Sequence, residues 1–334
     1  MKTRNVYWIG LAAIAVLALS ITAYFGSPPA VPTPTKLTVA VTRAPDSALV
    51  YIADNLGYFR DEGLDVTLQP HEFGKVALDS MLEDKADLAT VAETPIMLAL
   101  MRGKPLAVIA GIFSSDRNMG IVARRDSGIT SPRDLVGKQI GAAPGTNGDY
   151  FRYAFLTAHG VPMNAVKAVS LRPIEMADAL DARQVDAVAV WNPFLLLSER
   201  KLGSKGMTFF GESIYTYTFN LAGTKRVVTD EQQAVEAFLR ALKKAERYAR
   251  QNPDQSLEIV ANATQFDRDM LKELWGGFSF KVSLDQALLV GMENQAKWAI
   301  GEKLVERQTL PNFLDSIYFG GLEAVSPETV TMSH

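Results

Sequence analysis

Two stretches of this 334-residue chain repeat one order of strand-like and helix-like segments, and that repetition limits the folds open to it. The first stretch has strands at 36–41, 64–69 and 86–91, with helices at 46–59, 74–84 and 94–103. The second has strands at 138–143, 166–171 and 185–190, with helices following Thr146 and at 175–184 and 192–203. Short β-rich runs alternating with amphipathic helices define βαβ units, which build parallel sheets. The repeats agree in detail at their ends: "KADLATVAETPI" (85–96) parallels "QVDAVAVWNPF" (184–194). Each places an aspartate (Asp87, Asp186) before an apolar strand and a proline (Pro95, Pro193) at a helix start. The expectation is two similar α/β lobes, not one large sheet.

Between the repeats, 106–112 and 119–124 are further strand candidates, and "YTYTFNLAG" (215–223) is another after them. A long helix follows, with Thr229 or Asp230 as cap and Val235, Phe238, Leu239, Leu242 and Tyr248 on one face. Residues 253–303 continue as helix, and such a block without strands must return to the first lobe for cover. The chain would then cross between lobes near 119–125 and 215–222. The resulting division is 1–35 as an N-terminal segment and linker, 36–122 with 219–334 as lobe I, and 123–218 as lobe II.

Composition is that of a globular protein, 48% hydrophobic and 21% charged with net charge −3. The absence of a long basic run argues against nucleic acid as a partner. With no cysteine, the chain has no disulfide, thiolate metal site, thiol nucleophile or lipoprotein-type anchor. At the N-terminus a cationic "MKTRN" precedes the apolar run 6–25 and the Pro-rich "GSPPAVPTPT" (26–35). About 20 apolar residues span a bilayer, whereas a signal-peptide core has about 7–15. The favoured reading is an uncleaved anchor that leaves the rest outside the inner membrane; the alternative is a cleaved signal peptide, which also exports it.

"NLGYFRDEGLDVTLQ", "DKADLATVAETPIMLALMRGKPL", "IVARRDSGITSPRDLVGKQIGAAPGT", "ARQVDAVAVWNPF" and the tail "PNFLDSIYFGGLEAVSPETV" occur here in one collinear order. In that order they resemble the periplasmic substrate-binding proteins of ABC importers. The group resembled serves nitrate, taurine and alkanesulfonates, and thiamine-pyrimidine precursors, and the similarity spans roughly residues 36–330. It implies the type II periplasmic-binding-protein fold: two parallel-sheet α/β lobes, joined by two crossover strands, closing on a ligand. It also implies a small-molecule ligand and an ABC-transporter permease as partners, a monomer, and a periplasmic location. Relatives that make the thiamine pyrimidine use a cysteine-rich motif, which this chain lacks.

In open α/β sheets ligands sit beyond the carboxyl ends of the strands, which directs attention to specific loops. Arg43 in "TRAPDS" is an anion partner or a solvated surface arginine. Glu93 and Thr94 start a helix, where an acid is a ligand contact or a favourable dipole cap. Ser114 and Ser115 are donors at the first crossover or ordinary turn residues. Glu175 begins another helix and reads as a cap. Trp191 and Asn192 end a strand, with Trp191 an aromatic wall for the cleft or a core residue. Gly145, Thr146 and Asn147 form a strand-to-helix turn whose free N–H groups suit a carboxylate, sulfonate or phosphate. The plainer reading of that turn is a capping box between Thr146 and Asp149. The three histidines, His71, His159 and His334, show no metal-ligand spacing, and there is no G-x-S-x-G elbow. No catalytic residue, metal or cofactor is expected.

Overall fold

The computed structural model describes residues 33–211 and 214–333. The apolar run 6–25, with its reading as anchor or signal, lies outside them. Among the described residues no helix is long and apolar enough to cross a membrane.

Among the described residues ten strands form two five-stranded sheets. The first contains β1 (Thr35–Thr42), β2 (Leu64–His71), β3 (Leu88–Ala92), β4 (Leu106–Ser115) and β10 (Tyr217–Thr224), in the order β2-β1-β3-β10-β4. The second contains β5 (Met119–Arg124), β6 (Gln139–Ala142), β7 (Lys167–Ser170), β8 (Ala187–Trp191) and β9 (Gly206–Phe210), in the order β7-β6-β8-β5-β9. The repeated units thus make the matching halves β2-β1-β3 and β7-β6-β8.

The paired aspartates do the same work in both. Asp87 accepts a hydrogen bond from the Thr38 backbone N–H at 2.9 Å, and Asp186 accepts one from the Gln139 backbone N–H at 2.9 Å. Each carboxylate therefore locks the register of the third strand of its unit to the first. The strands that follow, "LATVA" and "AVAVW", are buried along their whole length, as expected where helices cover both faces of a sheet.

The sheets are mixed, not parallel as expected. β10 runs antiparallel to β3 and β4, and β5 runs antiparallel to β8 and β9. The cause is the route of the chain. The parallel strands of both sheets end at the cleft, so a segment leaving one lobe at a carboxyl end enters the other running away from the cleft.

The lobe borders shift for the same reason. β5 belongs wholly to the second sheet and β10 wholly to the first, so the borders expected at 122/123 and 218/219 fall inside strands. The chain passes between sheets at 116–118 and 211–216. These two passages touch, since the Thr216 hydroxyl donates to Asp116 at 2.7 Å.

The C-terminal block packs on the first sheet's helices. Helix Gln232–Gln251 lies against helix Ala48–Asn55, and Phe238 stacks on Phe59 with ring centroids 4.6 Å apart. The helix does not use the expected caps: Thr229 and Asp230 belong to a separate short helix, Lys225–Asp230, capped by Thr224. Helix Gln286–Gly301 covers helix Glu93–Met101. Isolated bridges from Ser279, Ser283 and Ile317 run along β4 and blunt that sheet edge.

Candidate functional site

A narrow cavity of about 20 Å³ lies where the strands of both sheets end. From the first sheet come Thr42 at the end of β1, Ala92 at the end of β3, and Asp46 in the turn after β1. Phe73, Gly74 and Lys75 begin helix Gly74–Leu82, and Pro95 lies in the first turn of Glu93–Met101. From the second sheet come Thr146 and Asn147 after β6 and Trp191 at the end of β8. Tyr217 and Phe219, on one face of β10, close it at the crossover.

Its best-connected group is Glu93, 1% exposed, which starts helix Glu93–Met101. Its Oε1 accepts from the Asn147 amide at 2.8 Å, from the Gln295 amide at 2.8 Å and from the Tyr215 hydroxyl. Its Oε2 accepts from the Thr218 backbone N–H at 3.2 Å and the Thr218 hydroxyl at 2.9 Å. The carboxylate so joins both lobes, the second crossover and a C-terminal helix at one point. Burial raises its pKa, and the bonds from Tyr215, its own backbone N–H, Gln295 and Thr218 oppose that rise. Tyr215 is held well above the usual phenol range, by burial first and then by the Glu93 charge, so it stays a donor.

Asp46 is the second buried carboxylate, 1% exposed. Tyr217 donates to its Oδ2 at 2.6 Å, while Oδ1 has no partner. Burial pushes its pKa up to about 7, against the pull of the Tyr217 bond and its own backbone N–H. Below it, Thr42, Ser47 and Thr90 form a closed hydroxyl cluster: Thr42 Oγ1 donates to the Thr90 carbonyl at 3.0 Å, and the Ser47 and Thr90 hydroxyls are 2.9 Å apart.

Across the cavity Trp191, 6% exposed, faces Phe73 of the other lobe with centroids 6.5 Å apart, and meets Phe194 edge-on at 6.2 Å. Trp298 makes another aromatic contact between lobes, to Tyr150 at 5.4 Å. Any solute that alters closure should therefore change tryptophan emission. In Trp191→Phe most of that change should disappear, with a residue from Trp298; an undiminished change would place Trp191 outside the response.

Of the expected site residues, Thr146, Asn147 and Trp191 line this cavity, and Glu93 reaches it through Asn147. Thr146 caps helix Asn147–Ala158: its hydroxyl accepts from the Gly148 N–H at 3.2 Å and donates to the Ala143 carbonyl at 2.7 Å. The expected capping box does not form, because Asp149 accepts from the Gly145 N–H at 3.1 Å and pairs with Arg152 at 2.8 Å. Gly145 itself faces Leu98 and Lys75 in a neighbouring hollow. Arg43 is exposed and not among the lining residues. Thr94 is buried one residue beyond Glu93, its hydroxyl without a partner. Ser114 lines a separate cavity against the C-terminal segment, and Ser115 donates to the Gly277 carbonyl at 2.8 Å. Asn192 faces yet another hollow, its amide 3.4 Å from the Arg117 carbonyl. Glu175 acts as the expected cap, accepting from the Arg172 backbone N–H at 3.0 Å.

Sequence reading missed Asp46, Tyr215, Tyr217, Thr218 and Gln295. A signal existed for two of them: Tyr215, Tyr217 and Phe219 alternate with polar residues, the period of one strand face. Asp46 sat in a loop already singled out, but an acid after a proline reads as a helix-start residue.

Gly148 sets how closely the helix start approaches β8. A Cβ there would lie 2.8 Å from the Ala189 carbonyl oxygen and 3.4 Å from the Trp191 ring. Helix propensity alone would favour alanine by about 1 kcal/mol. Against a backbone atom, overpacking of about 1–3 kcal/mol outweighs that gain. Gly148→Ala should therefore lower the urea midpoint, and a raised midpoint would show that the helix start is free to shift.

A cavity between two α/β lobes, at the carboxyl ends of both sets of strands and beside two chain crossings, defines the two-lobed periplasmic-binding-protein fold. The chain belongs to the NMT1/THI5-like family, which it matches over residues 44–256. A Bacillus subtilis protein named for binding aliphatic sulfonates is 28% identical over 229 residues, 67% of this chain and 68% of that one. The 4-amino-5-hydroxymethyl-2-methylpyrimidine phosphate synthase of Candida albicans is 26% identical over 245 residues, 66% of this chain and 68% of the other. The alkanesulfonate-binding protein SsuA of Xanthomonas axonopodis pv. citri, bound to MOPS, superposes with a TM-score of 0.74. That likeness covers 86% of this chain and 99% of SsuA at 18% identity, and so speaks for the fold.

Proposed function

We propose that this chain is an exported solute-binding protein that captures a small polar organic molecule in the periplasm and delivers it to the permease of an ABC importer. The observation that carries this reading is the cavity at the carboxyl ends of both sheets, bridged from one lobe to the other by the Glu93–Asn147 bond. A ligand of the sulfonate or taurine kind, anion or zwitterion, agrees with the names of the sulfonate-binding relatives. Its acidic end would meet the helix start at Thr146 and Asn147, where the positive end of the helix dipole favours an anion. The remaining parts of the reading are a monomer and a tether through residues 6–25 to the outer face of the inner membrane.

The synthase among the relatives raises an enzymatic alternative. This chain has no cysteine, and a cysteine-rich motif is what the resembled pyrimidine-forming enzymes use. Binding without turnover is the expected behaviour.

A thermal-shift screen of sulfonates, taurine, nitrate, amino acids and pyrimidines tests this. A true ligand at about 100 times its Kd adds about 2.7 kcal/mol to stability. The bound compound should be recovered unchanged, whereas product formation that a cavity mutation abolishes would establish the enzyme reading instead.

A further inference from the structure

The Asp46 carboxylate asks for something the protein does not supply. It follows β1 in the turn Pro45–Ser47, lines the cavity, and is buried. One oxygen is satisfied by Tyr217; the other, Oδ1, has neither hydrogen-bond partner nor solvent contact. A buried acceptor left unpaired is costly and is seldom kept without a use.

Among the described residues no cation answers it. Lys75 lines the same cavity, but its ammonium is held by Asp79 at 2.6 Å. Arg43, on the same loop, is exposed to solvent. From the other elements around it, Tyr217 of β10 already donates, and Glu93 with Tyr215 adds negative charge and a committed hydroxyl. A purely anionic solute would meet this carboxylate across a small cavity. A solute with a positively charged nitrogen would satisfy Oδ1 and lie against the Trp191 and Phe73 faces, which favour cations.

We propose that Asp46 is the specificity-determining residue of the cleft, and that it selects small solutes carrying a protonated amine or similar cationic N–H group. This rests on the solute-binding reading above, with the acidic end of a zwitterion at the Asn147 helix start and the amine on Asp46.

Isothermal titration with matched pairs tests it: taurine against ethanesulfonate, and β-alanine against propionate, on the wild type, Asp46→Asn and Asp46→Ala. In the wild type the amine-bearing member of at least one pair should bind tenfold or more tightly than its partner. Asp46→Asn should collapse that ratio towards one. A pH series on the wild type needs no folded variant: affinity for the amine-bearing member should rise from pH 6 to pH 8 as Asp46 ionises, while that for its partner does not. Tyr217 is held well above that range, by burial first and then by the Asp46 charge, so it stays a donor throughout.

Equal binding of both members, unchanged in Asp46→Asn and flat with pH, overturns the proposal and leaves the solute-binding reading in place. Binding of neither member of either pair overturns the assignment of an amino-acid-like solute, and failure of the wider thermal-shift screen overturns the solute-binding reading with it.

Discussion

Glu93→Ala should lose about 3–5 kcal/mol of unfolding free energy, a cost of the size seen when one partner of a buried polar network is removed. The deletion strands the Asn147 and Gln295 amides, the Tyr215 hydroxyl and the Thr218 N–H and hydroxyl, all of which donate to that one carboxylate. Urea unfolding of the wild type and variant measures it. Glu93→Gln is the sharper control, because its amide has nearly the same shape but one acceptor oxygen. Whichever way it turns, its NH₂ group points at donors, and we expect roughly half the alanine penalty. Should both variants unfold within about 0.5 kcal/mol of the wild type, the network is not what holds the lobes together. Solute binding should fall in both, since Glu93 orients Asn147 at the cavity wall.

The second large effect is a pH dependence centred on Asp46 in the solute-free protein. Its folded pKa is about 7, above the ordinary aspartate value near 3.8, so the folded state holds a proton that the unfolded state releases. The sign follows from linkage: this contribution to stability is fully present below about pH 4 and is lost as pH rises through about 7. The full loss is on the order of 4 kcal/mol. Asp46→Asn removes that titration while keeping an acceptor for Tyr217. The stability difference, variant minus wild type, should therefore grow from pH 5 to pH 8 in denaturant titrations. A difference that stays constant over that range would mean that Asp46 titrates as an ordinary carboxylate.

Much of the architecture was legible because it is written locally. The Asp87 and Asp186 segments look alike because each aspartate pins a third strand to a first, and that requirement repeats with the βαβ unit. Strand direction was not legible: nothing in "MGIVAR" or "YTFNLAGT" records that β5 and β10 run against their neighbours. Direction follows from where the chain leaves the previous lobe. The site was half legible for a related reason. Thr146, Asn147 and Trp191 follow strand ends, a rule of position that sequence can apply. The partners of Glu93 obey no such rule, with Gln295 lying 202 positions away in a helix of the C-terminal block. Asp46 was hidden by its surroundings, since the hydroxyl that bonds it belongs to Tyr217, 171 residues later.

The place of β10 between β3 and β4 has a consequence for how the molecule assembles. All five strands of the second sheet fall within residues 119–210, one uninterrupted span of chain. Four strands of the first sheet precede that span, yet the one that must lie between two of them comes only afterwards, at 217–224. Until it arrives, β3 and β4 have no shared neighbour, and their facing edges can pair with other chains. Closing that gap requires contacts across more than 100 residues, the slow kind in folding. The second lobe can finish on its own contacts while the first waits as an incomplete sheet. A chaperone that shields the gap between β3 and β4 would protect the stage at which this chain is most open to misassembly.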